Sequence, residues 1–203
     1  MFTAIVNGDV AIPNQDFLYT EFIDPDVCDR FIDWYQRDSD KYFLKGPGES
    51  LKDNGGVIDP TIKESIDTPV MNMVLIEPVN ALVDEVDRIM GNYVKKFPFC
   101  AKGGAFHMDP GWNIQWYPPG GGYKEWHTER LSSCRVDVYR HLVWMVYLND
   151  VPNGGTEWFH QNKYVEAEKG KCCIWPADWT WTHKGRVSET HDKLLATGWY
   201  SFA

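Results

Sequence analysis

The sequence has 203 residues, of which 43% are hydrophobic and 15% aromatic, and its formal net charge at pH 7 is −9. This length and composition predict one globular domain with a substantial core. The acidic balance and the lack of a Lys/Arg run argue against a nucleic-acid partner, and no segment is long and apolar enough to cross a membrane.

The five cysteines are odd in number and form no CxxC motif, which favours reduced thiols and a cytoplasmic protein. The first ten residues, MFTAIVNGDV, lack the basic region and the long apolar run of a signal peptide. Cys172 and Cys173 are adjacent on a predicted strand, so we expect their side chains to point to opposite faces.

Two helices are predicted in the first half, after short strands or coil over residues 1–20. The first has Asp24 as its N-cap and Pro25 as its first residue, and continues to about Arg37. The second begins at Pro78 and is stopped by Pro98. Apolar residues at helical spacing predict one buried face on each helix; they are Val27, Phe31, Ile32 and Tyr35 in the first, and Leu82, Val86, Ile89 and Tyr93 in the second.

Residues 38–70, between the helices, are polar and rich in glycine. They are interpreted as a long, partly mobile loop. Long loops in compact domains are often functional lids and are otherwise disordered, so this segment is a candidate cover for a substrate.

From Gly111 onward the pattern changes to short strands separated by turns. About eight strands with glycine-rich turns predict an α+β protein with a double-stranded β-helix (jelly-roll) core. Residues 112–203 would form that core and residues 1–111 its helical and loop support, with the helices packed on one outer face. The predicted strands are Asn113–Tyr117, Tyr123–Glu129, Arg135–His141, Leu142–Leu148, Thr156–His160, Lys171–Trp175, Thr182–Gly185 and Lys193–Phe202, with a turn over Asn149–Gly155.

A candidate metal site begins with His127 and Glu129. Residues i and i+2 of a strand point to the same face, so both side chains could bind one ion, and His183 is the best third ligand. Two histidines and a carboxylate with open positions suit non-haem Fe(II) oxygenases. The alternative is that His127 is a hydrogen-bonded strand histidine and Glu129 a solvated strand end.

Lys193 lies on the last predicted strand, where it alternates on one face with Leu195, Thr197 and Trp199. A lysine that points into a barrel is costly unless an anion meets it. A metal triad with a lysine beyond it therefore indicates a ligand with a chelating head and a carboxylate tail. 2-Oxoglutarate (2OG) has both.

With these residues in place, the sequence resembles the 2OG- and Fe(II)-dependent dioxygenases, in particular the prolyl 4-hydroxylase-like branch. That family carries a tyrosine, a glycine turn, a second aromatic residue and H-x-D. It continues with Y-L-N, a G-G-x-x-x-F hairpin, an aromatic-Pro pair, the distal histidine, a Lys or Arg, a threonine and a tryptophan. The matching residues here are Tyr117, Gly120 to Gly122, Tyr123, His127-x-Glu129, Tyr147 to Asn149, Gly154 to Phe159, Trp175-Pro176, His183, Lys193, Thr197 and Trp199.

The resemblance implies that His127, Glu129 and His183 bind Fe(II) and are the catalytic residues. It also implies that 2OG and O2 are co-substrates, that ascorbate is a candidate reductant, and that succinate and CO2 accompany the hydroxylated product. Lys193 would hold the distal carboxylate of 2OG and Tyr147 would be hydrogen-bonded to it. The other residues implied at the pocket are Tyr117 on the co-substrate, Thr197 and Trp199 on the lining, and Tyr123 near the substrate.

The sequence leaves several alternatives open. The family usually has Asp where this chain has Glu129. Arg186 either reaches the substrate or is solvated, and His191 is the nearest rival to His183. The favoured substrate is a prolyl residue in a peptide, with a free amino acid or small metabolite as the alternative. The rival functions are a cupin-type metalloenzyme and a non-enzymatic jelly-roll binding module, although neither has a reason to bury Lys193.

Overall fold

A computed structural model describes residues 5–6, 9–10, 16–52, 55–72, 76–130 and 137–203. The helices are α1 (Pro25–Arg37) and α2 (Glu77–Lys96). The strands are β1 (Ile5–Val6), β2 (Asp9–Val10), β3 (Tyr19–Phe22), β4 (Gly46–Pro47), β5 (Ser50–Lys52), β6 (Gly55–Val57), β7 (Lys63–Glu64), β8 (Ile66–Met71), β9 (Phe106–Met108), β10 (Gly111–Tyr117), β11 (Gly122–Tyr123), β12 (Arg140–Tyr147), β13 (Val151–Trp158), β14 (Lys163–Ala167), β15 (Lys171–Pro176), β16 (His183–Gly185) and β17 (Lys193–Phe202).

Both predicted helices are present. Asp24 caps α1, because its carboxylate accepts a hydrogen bond from the Asp26 N–H at 2.9 Å. Helix α2 begins one residue before Pro78, and Ile76 at its N-cap offers no side-chain acceptor. The predicted apolar faces are buried on both helices, except that Ile32 is only half-buried.

The largest sheet has the strand order β3-β15-β12-β17-β10-β8-β4, with β9 paired to β17. A smaller sheet has the order β14-β13-β16. Strands β12 and β17 pair antiparallel at the centre of the large sheet, so both faces of these strands must find apolar partners. This explains the continuous hydrophobic runs that the sequence shows there.

The two faces of the large sheet belong to two hydrophobic clusters. On β12, Leu142, Trp144 and Val146 lie in the same cluster as the buried residues of α1 and α2. The alternate residues of β12, with Trp158 of the small sheet, lie in the other cluster. The described residues therefore form a mostly β structure with two helices, in which two sheets pack as a jelly-roll-like sandwich.

The interpretation of residues 38–70 as a long loop is wrong. This segment carries strands β4 to β8 over its described residues. Strand β8 is part of the large sheet, where it pairs with β10 along six positions, and Thr68 and Val70 on it are fully buried. The strands are short and contain Pro69 and several glycines, so the sequence pattern resembles that of a loop.

The predicted turn over Asn149–Gly155 is also wrong, because β13 begins at Val151. Neither Gly154 nor Gly155 has a positive φ. Gly155 is needed for close approach instead, since a Cβ there would overlap the backbone oxygen of Val165 on the paired strand. The two glycines lie where the β13–β14 register shifts.

Two other predicted strands are shorter than expected. Of Tyr123–Glu129, only Tyr123 lies in a strand (β11), while His127 forms an isolated bridge. Of Arg135–His141, residues 135–136 lie outside the described residues, Asp137–Tyr139 is a 3-10 turn, and β12 begins at Arg140. The backbone bends at Glu129, so the spacing rule for strands does not account for where its side chain points.

Cys172 and Cys173 lie in the two different clusters, as predicted for neighbours on a strand. Both are buried free thiols, as is Cys28, while Cys134 lies outside the described residues. Burial raises the pKa of Cys28 and of Cys173 to about 12, so these thiols are unreactive core residues. Within the described residues, neither helix is long and apolar enough to span a membrane.

Candidate active site

The centre of the site is a backbone bridge between two histidines. His127 and His183 pair antiparallel outside the regular strands, with N–H to O distances of 3.0 and 2.9 Å. Their ring centroids are 4.3 Å apart. Two residues that lie 56 positions apart in the sequence are thus fixed side by side by main-chain hydrogen bonds.

The tautomer of each histidine is set by a backbone carbonyl. Nδ1 of His127 lies 3.0 Å from the oxygen of Glu125, and Nδ1 of His183 lies 2.9 Å from the oxygen of Trp181. Because a carbonyl can only accept, each Nδ1 carries the proton and each Nε2 keeps its lone pair. The two Nε2 atoms lie 3.7 and 3.4 Å from Oε1 of Glu129.

The second oxygen of Glu129 is held separately. Oε2 accepts a hydrogen bond from the indole N–H of Trp199 at 3.1 Å and lies 3.6 Å from Nη1 of Arg140. The Arg140 guanidinium lies 3.6 Å above the Trp199 ring and forms an ion pair of 2.8 Å with the buried Asp137. Glu129 therefore turns Oε1 alone toward the histidines.

Burial sets the electrostatics of this group. Burial and then the neighbouring His183 lower the pKa of His127 to about 3. Burial alone would raise the pKa of Glu129, but its polar contacts with His183 and His127 and the charge of Arg140 outweigh burial and hold that pKa below its usual range. At neutral pH, His127 is therefore neutral and Glu129 ionised, which are the states that bind a cation.

These donors fit a metal ion. The ligand atoms of His127, Glu129 and His183 all lie within 4.8 Å of one another. Two imidazole nitrogens and one carboxylate oxygen are the donor set that suits Fe(II) with positions left open for other ligands. The backbone carbonyls behind both rings are the supporting contacts that metal-binding histidines usually have.

A cavity of about 790 Å³ opens beside these three residues. Alternate residues of β10 and β17 line one side of it, because i and i+2 of a strand share a face. Residues from the segment 44–69, which precedes β10 in the chain, line another side of the cavity. The residues that line the cavity include Leu44, Lys63, Asp67, Asn113, Gln115, Tyr117, Tyr123, Trp126, Arg140, Lys193, Leu195, Thr197 and Trp199.

Lys193 points into this cavity and is only 4% exposed. Its Nζ donates to the backbone oxygens of Gly154 at 2.7 Å and Arg186 at 3.0 Å. Within the described part of the chain it has no carboxylate partner, and burial lowers its pKa to about 8. An anion at this ammonium would offset the cost of burying its charge.

Most of the other predicted pocket residues also line the cavity: Tyr117, Tyr123, Thr197 and Trp199. Tyr123 lies flat on the His127 ring, with centroids 3.5 Å apart. The Tyr117 hydroxyl donates to Gln115 at 2.8 Å.

Two predicted residues lie elsewhere. Tyr147 is fully buried behind the cavity wall, and its hydroxyl is hydrogen-bonded to Thr156 at 2.6 Å. Thr156 lines the cavity, but Tyr147 does not. The Arg186 side chain forms an ion pair of 2.5 Å with Glu157 and lies over the Tyr164 ring, so it is not part of the cavity wall.

Sequence reasoning missed Arg140, the amides Asn113 and Gln115, and the pair Lys63–Asp67, whose charged atoms are 2.5 Å apart. A period-2 signal was present for the amides, because polar residues 113 and 115 alternate with the apolar residues of β10. Arg140 follows a 3-10 turn that was predicted as a strand, and Lys63 lies in the segment that was interpreted as a loop. The sequence spacing therefore did not place either side chain at the site.

Among the remaining histidines, His141 is hydrogen-bonded to the Cys100 carbonyl at 2.8 Å, and His191 is exposed and bonded to Thr190. Over the described residues, only His127, Glu129 and His183 form a group that could hold a metal. The structure therefore places His183, and not its sequence rival His191, beside Glu129.

Neither a protein-family model nor a curated protein sequence matches the chain. Solved structures do match in fold. A prolyl-4-hydroxylase from Pseudomonas putida superposes with a TM-score of 0.67 at 15% identity, covering 93% of this chain and 94% of that one.

Two further matches have a TM-score of 0.66 at 16% identity, and each covers 92% of this chain. One is the viral collagen prolyl hydroxylase of Paramecium bursaria Chlorella virus-1 in its 2OG complex, of which 97% is covered. The other is a prolyl hydroxylase from Trichoplax adhaerens in complex with a hypoxia inducible factor peptide fragment, of which 84% is covered. The chain thus has the prolyl 4-hydroxylase fold.

Proposed function

We propose that this protein is a 2OG- and Fe(II)-dependent dioxygenase that hydroxylates a prolyl residue in a peptide. The observation that carries the proposal is the convergence of two sites in one cavity. His127, Glu129 and His183 present a cation site, and Lys193 presents a buried ammonium that has no carboxylate partner among the described residues. A dicarboxylate that chelates the metal at one end satisfies both.

Each residue has a role that follows from its contacts. The histidines would hold Fe(II) through Nε2, because Nδ1 is committed to a carbonyl. Glu129 would bind through Oε1 and supply the negative charge. Lys193 would bind the distal carboxylate of 2OG, and its ammonium already lies against the Tyr117 ring at 5.2 Å.

With the ion bound, the chemistry it supplies is activation of O2 coupled to conversion of 2OG to succinate and CO2, with hydroxylation of the substrate. The residues around the metal ligands would restrict the access of water to that chemistry. Trp199 and Arg140 keep the Glu129 carboxylate in place, and the ring of Tyr123 shields one face of His127. Ascorbate as a reductant stays a prediction.

A peptide substrate is supported by two observations. One matched structure is a prolyl hydroxylase bound to a peptide fragment. The cavity also reaches the protein surface, because Leu44 and Trp126 line it and are both exposed. A chain that continues on both sides of the reacting residue can pass through such an opening.

The experiment is an anaerobic titration of Fe(II) and 2OG, followed by succinate measurement in air and mass spectrometry of proline-containing peptides. We expect a metal-to-ligand charge-transfer band, Fe(II)-dependent succinate, and a gain of one oxygen on a peptide. His183→Ala should abolish all three. His191→Ala is the matched control and should behave like the parent, because His191 is exposed and is not part of the metal-ligand group.

The outcomes separate the alternatives. Binding of Fe(II) without any response to 2OG would favour a cupin-type enzyme. Peptide binding that is unchanged when a chelator removes the metal, with no oxidation of the peptide, would favour a binding module. Oxidation of free amino acids but of no peptide would leave the dioxygenase proposal intact and refute the peptide substrate.

A further inference from the structure

Two amide side chains lie on the cavity wall beside the path from the metal ligands to Lys193. On the paired strands β10 and β17, Asn113 is opposite Thr197 and Gln115 is opposite Leu195. Paired strands are about 4.8 Å apart. The amides therefore lie one strand to the side of the residues that 2OG would cover, on the wall that continues to β8.

The hydrogen bonds of these amides are incomplete. Gln115 is 8% exposed, and its Oε1 accepts from the Tyr117 hydroxyl at 2.8 Å, which turns its NH2 group away from that hydroxyl. Among the described residues, neither this NH2 group nor the Asn113 side chain has a hydrogen-bond partner. Both side chains line the cavity, and neither amide is sealed from solvent, so their unpaired groups are free to form hydrogen bonds with a ligand there.

The neighbouring charged groups do not need such a ligand. Lys63 is paired with Asp67 at 2.5 Å, and the other oxygen of Asp67 accepts from Ser65 at 2.7 Å. The charged pair next to β10 is therefore satisfied, and the unpaired polar groups of β10 are its two neutral amides. A neutral amide pairs best with a neutral group that both donates and accepts, and a peptide bond is such a group.

We infer that Asn113 and Gln115 form a subsite that is hydrogen-bonded to a peptide group of the substrate, next to the residue that is hydroxylated. This inference rests on the proposed function and deepens it. Recognition through the main chain makes the enzyme selective for a peptidyl residue over the free amino acid, with little dependence on neighbouring side chains.

The test compares acetyl-Pro-Gly-amide with free proline as substrates of the Fe(II)-loaded protein. We expect kcat/KM to favour the capped peptide by roughly tenfold or more, the scale of one or two hydrogen bonds to buried amides. Asn113→Leu and Gln115→Met should each remove most of this preference by raising the KM for the peptide. Asn113→Leu is the easier variant to interpret, because the Asn113 side chain has no hydrogen bond to any other described residue, whereas Gln115 accepts one from Tyr117.

Gln36→Met is the matched control, because Gln36 is an exposed amide on α1. The dissociation constant of 2OG, measured from the anaerobic absorption band, shows whether the amides contact 2OG or the peptide substrate. A tenfold weaker 2OG affinity with an unchanged peptide KM would show that the amides contact the co-substrate, and would overturn the inference. Equal use of free proline and peptide by the parent would also overturn it. A parent protein without Fe(II)-dependent 2OG turnover would refute the proposed function, and the inference with it.

Discussion

Replacement of Lys193 by methionine should make the protein more stable and less able to bind 2OG. The side chain is 4% exposed and its pKa falls from 10.5 to about 8 because of burial. At about 1.36 kcal/mol per pKa unit, the buried charge costs the folded state roughly 3 kcal/mol at pH 7. Methionine is unbranched and apolar, and it fills similar space without that charge.

The gain is reduced by two lost hydrogen bonds. The carbonyls of Gly154 and Arg186 lose the ammonium that now donates to them, which offsets about 1–2 kcal/mol. We therefore expect a net stabilisation of about 1–2 kcal/mol at pH 7. Binding of 2OG should weaken by about 2–4 kcal/mol, the scale for truncating one member of a buried charge pair.

The pH dependence identifies the cause. Between pH 8 and 10.5 the unfolded chain keeps the Lys193 proton and the folded protein loses it, so the stability of the parent rises with pH in this window. The advantage of the Lys193→Met variant should thus shrink by roughly 2 kcal/mol from pH 7 to pH 9.5. Taking the difference between the two proteins cancels the titration of all other groups.

Urea unfolding of the metal-free proteins at pH 7 and pH 9.5 measures this effect, with Lys102→Met as the control for an exposed lysine. The reasoning is refuted if the Lys193→Met protein is less stable than the parent at pH 7 and shows no trend with pH. Lys193 would then be a structural residue that connects β13 to the residue after β16 through the carbonyls of Gly154 and Arg186.

Three further outcomes are expected. Glu129→Ala should abolish Fe(II) binding and turnover and Glu129→Gln should bind Fe(II) much more weakly, as shown by iron content; a fully active, iron-loaded Ala variant would remove Glu129 from the metal site. Trp199→Phe keeps an aromatic ring but loses the hydrogen-bond donor to Glu129. The Fe(II) affinity, measured by anaerobic titration, should therefore fall roughly tenfold. An unchanged affinity would show that the indole N–H is dispensable. Gly155→Ala should destabilise the protein by about 1–3 kcal/mol in urea unfolding, because the new Cβ would overlap the Val165 carbonyl. The control Gly46→Ala should leave the stability unchanged, because its Cβ meets no atom within 4 Å. Equal effects of the two changes would contradict this account.

The fold was predictable where the sequence pattern reports directly on packing. Helix α1 follows from Asp24, Pro25 and its apolar face, and β17 has the predicted bounds because its residues alternate between two buried faces. Strands β4 to β8 were missed because each is short and is defined by its partner. Pro69 sits within β8 opposite Asn113, where local propensity argues against a strand.

The site was predictable to the extent that its residues belong to recognisable motifs. The structure brings His127, Glu129 and His183 together, although their grouping depends on a bridge between distant segments. Arg140 and Asp67 could not be predicted, because their positions depend on tertiary contacts that no local spacing encodes. Tyr147 was expected on the co-substrate, but it lies one layer back, where Thr156 is its partner.

The geometry also accounts for a glutamate where the related family usually has an aspartate. Residues 124 to 130 do not continue β11 as a strand, and the backbone bends at Glu129. The longer side chain spans the extra distance of about one C–C bond, roughly 1.5 Å. A longer side chain has more rotamers, so it needs more restraint, and here Trp199 and Arg140 supply it by holding Oε2 while Oε1 faces the two Nε2 atoms. An aspartate on the same backbone would have to give up either the indole N–H or the histidines. On this backbone, the contact of residue 129 with Trp199 therefore depends on the length of its side chain, and Glu129→Asp should keep full metal affinity only if the backbone at the bend moves with it.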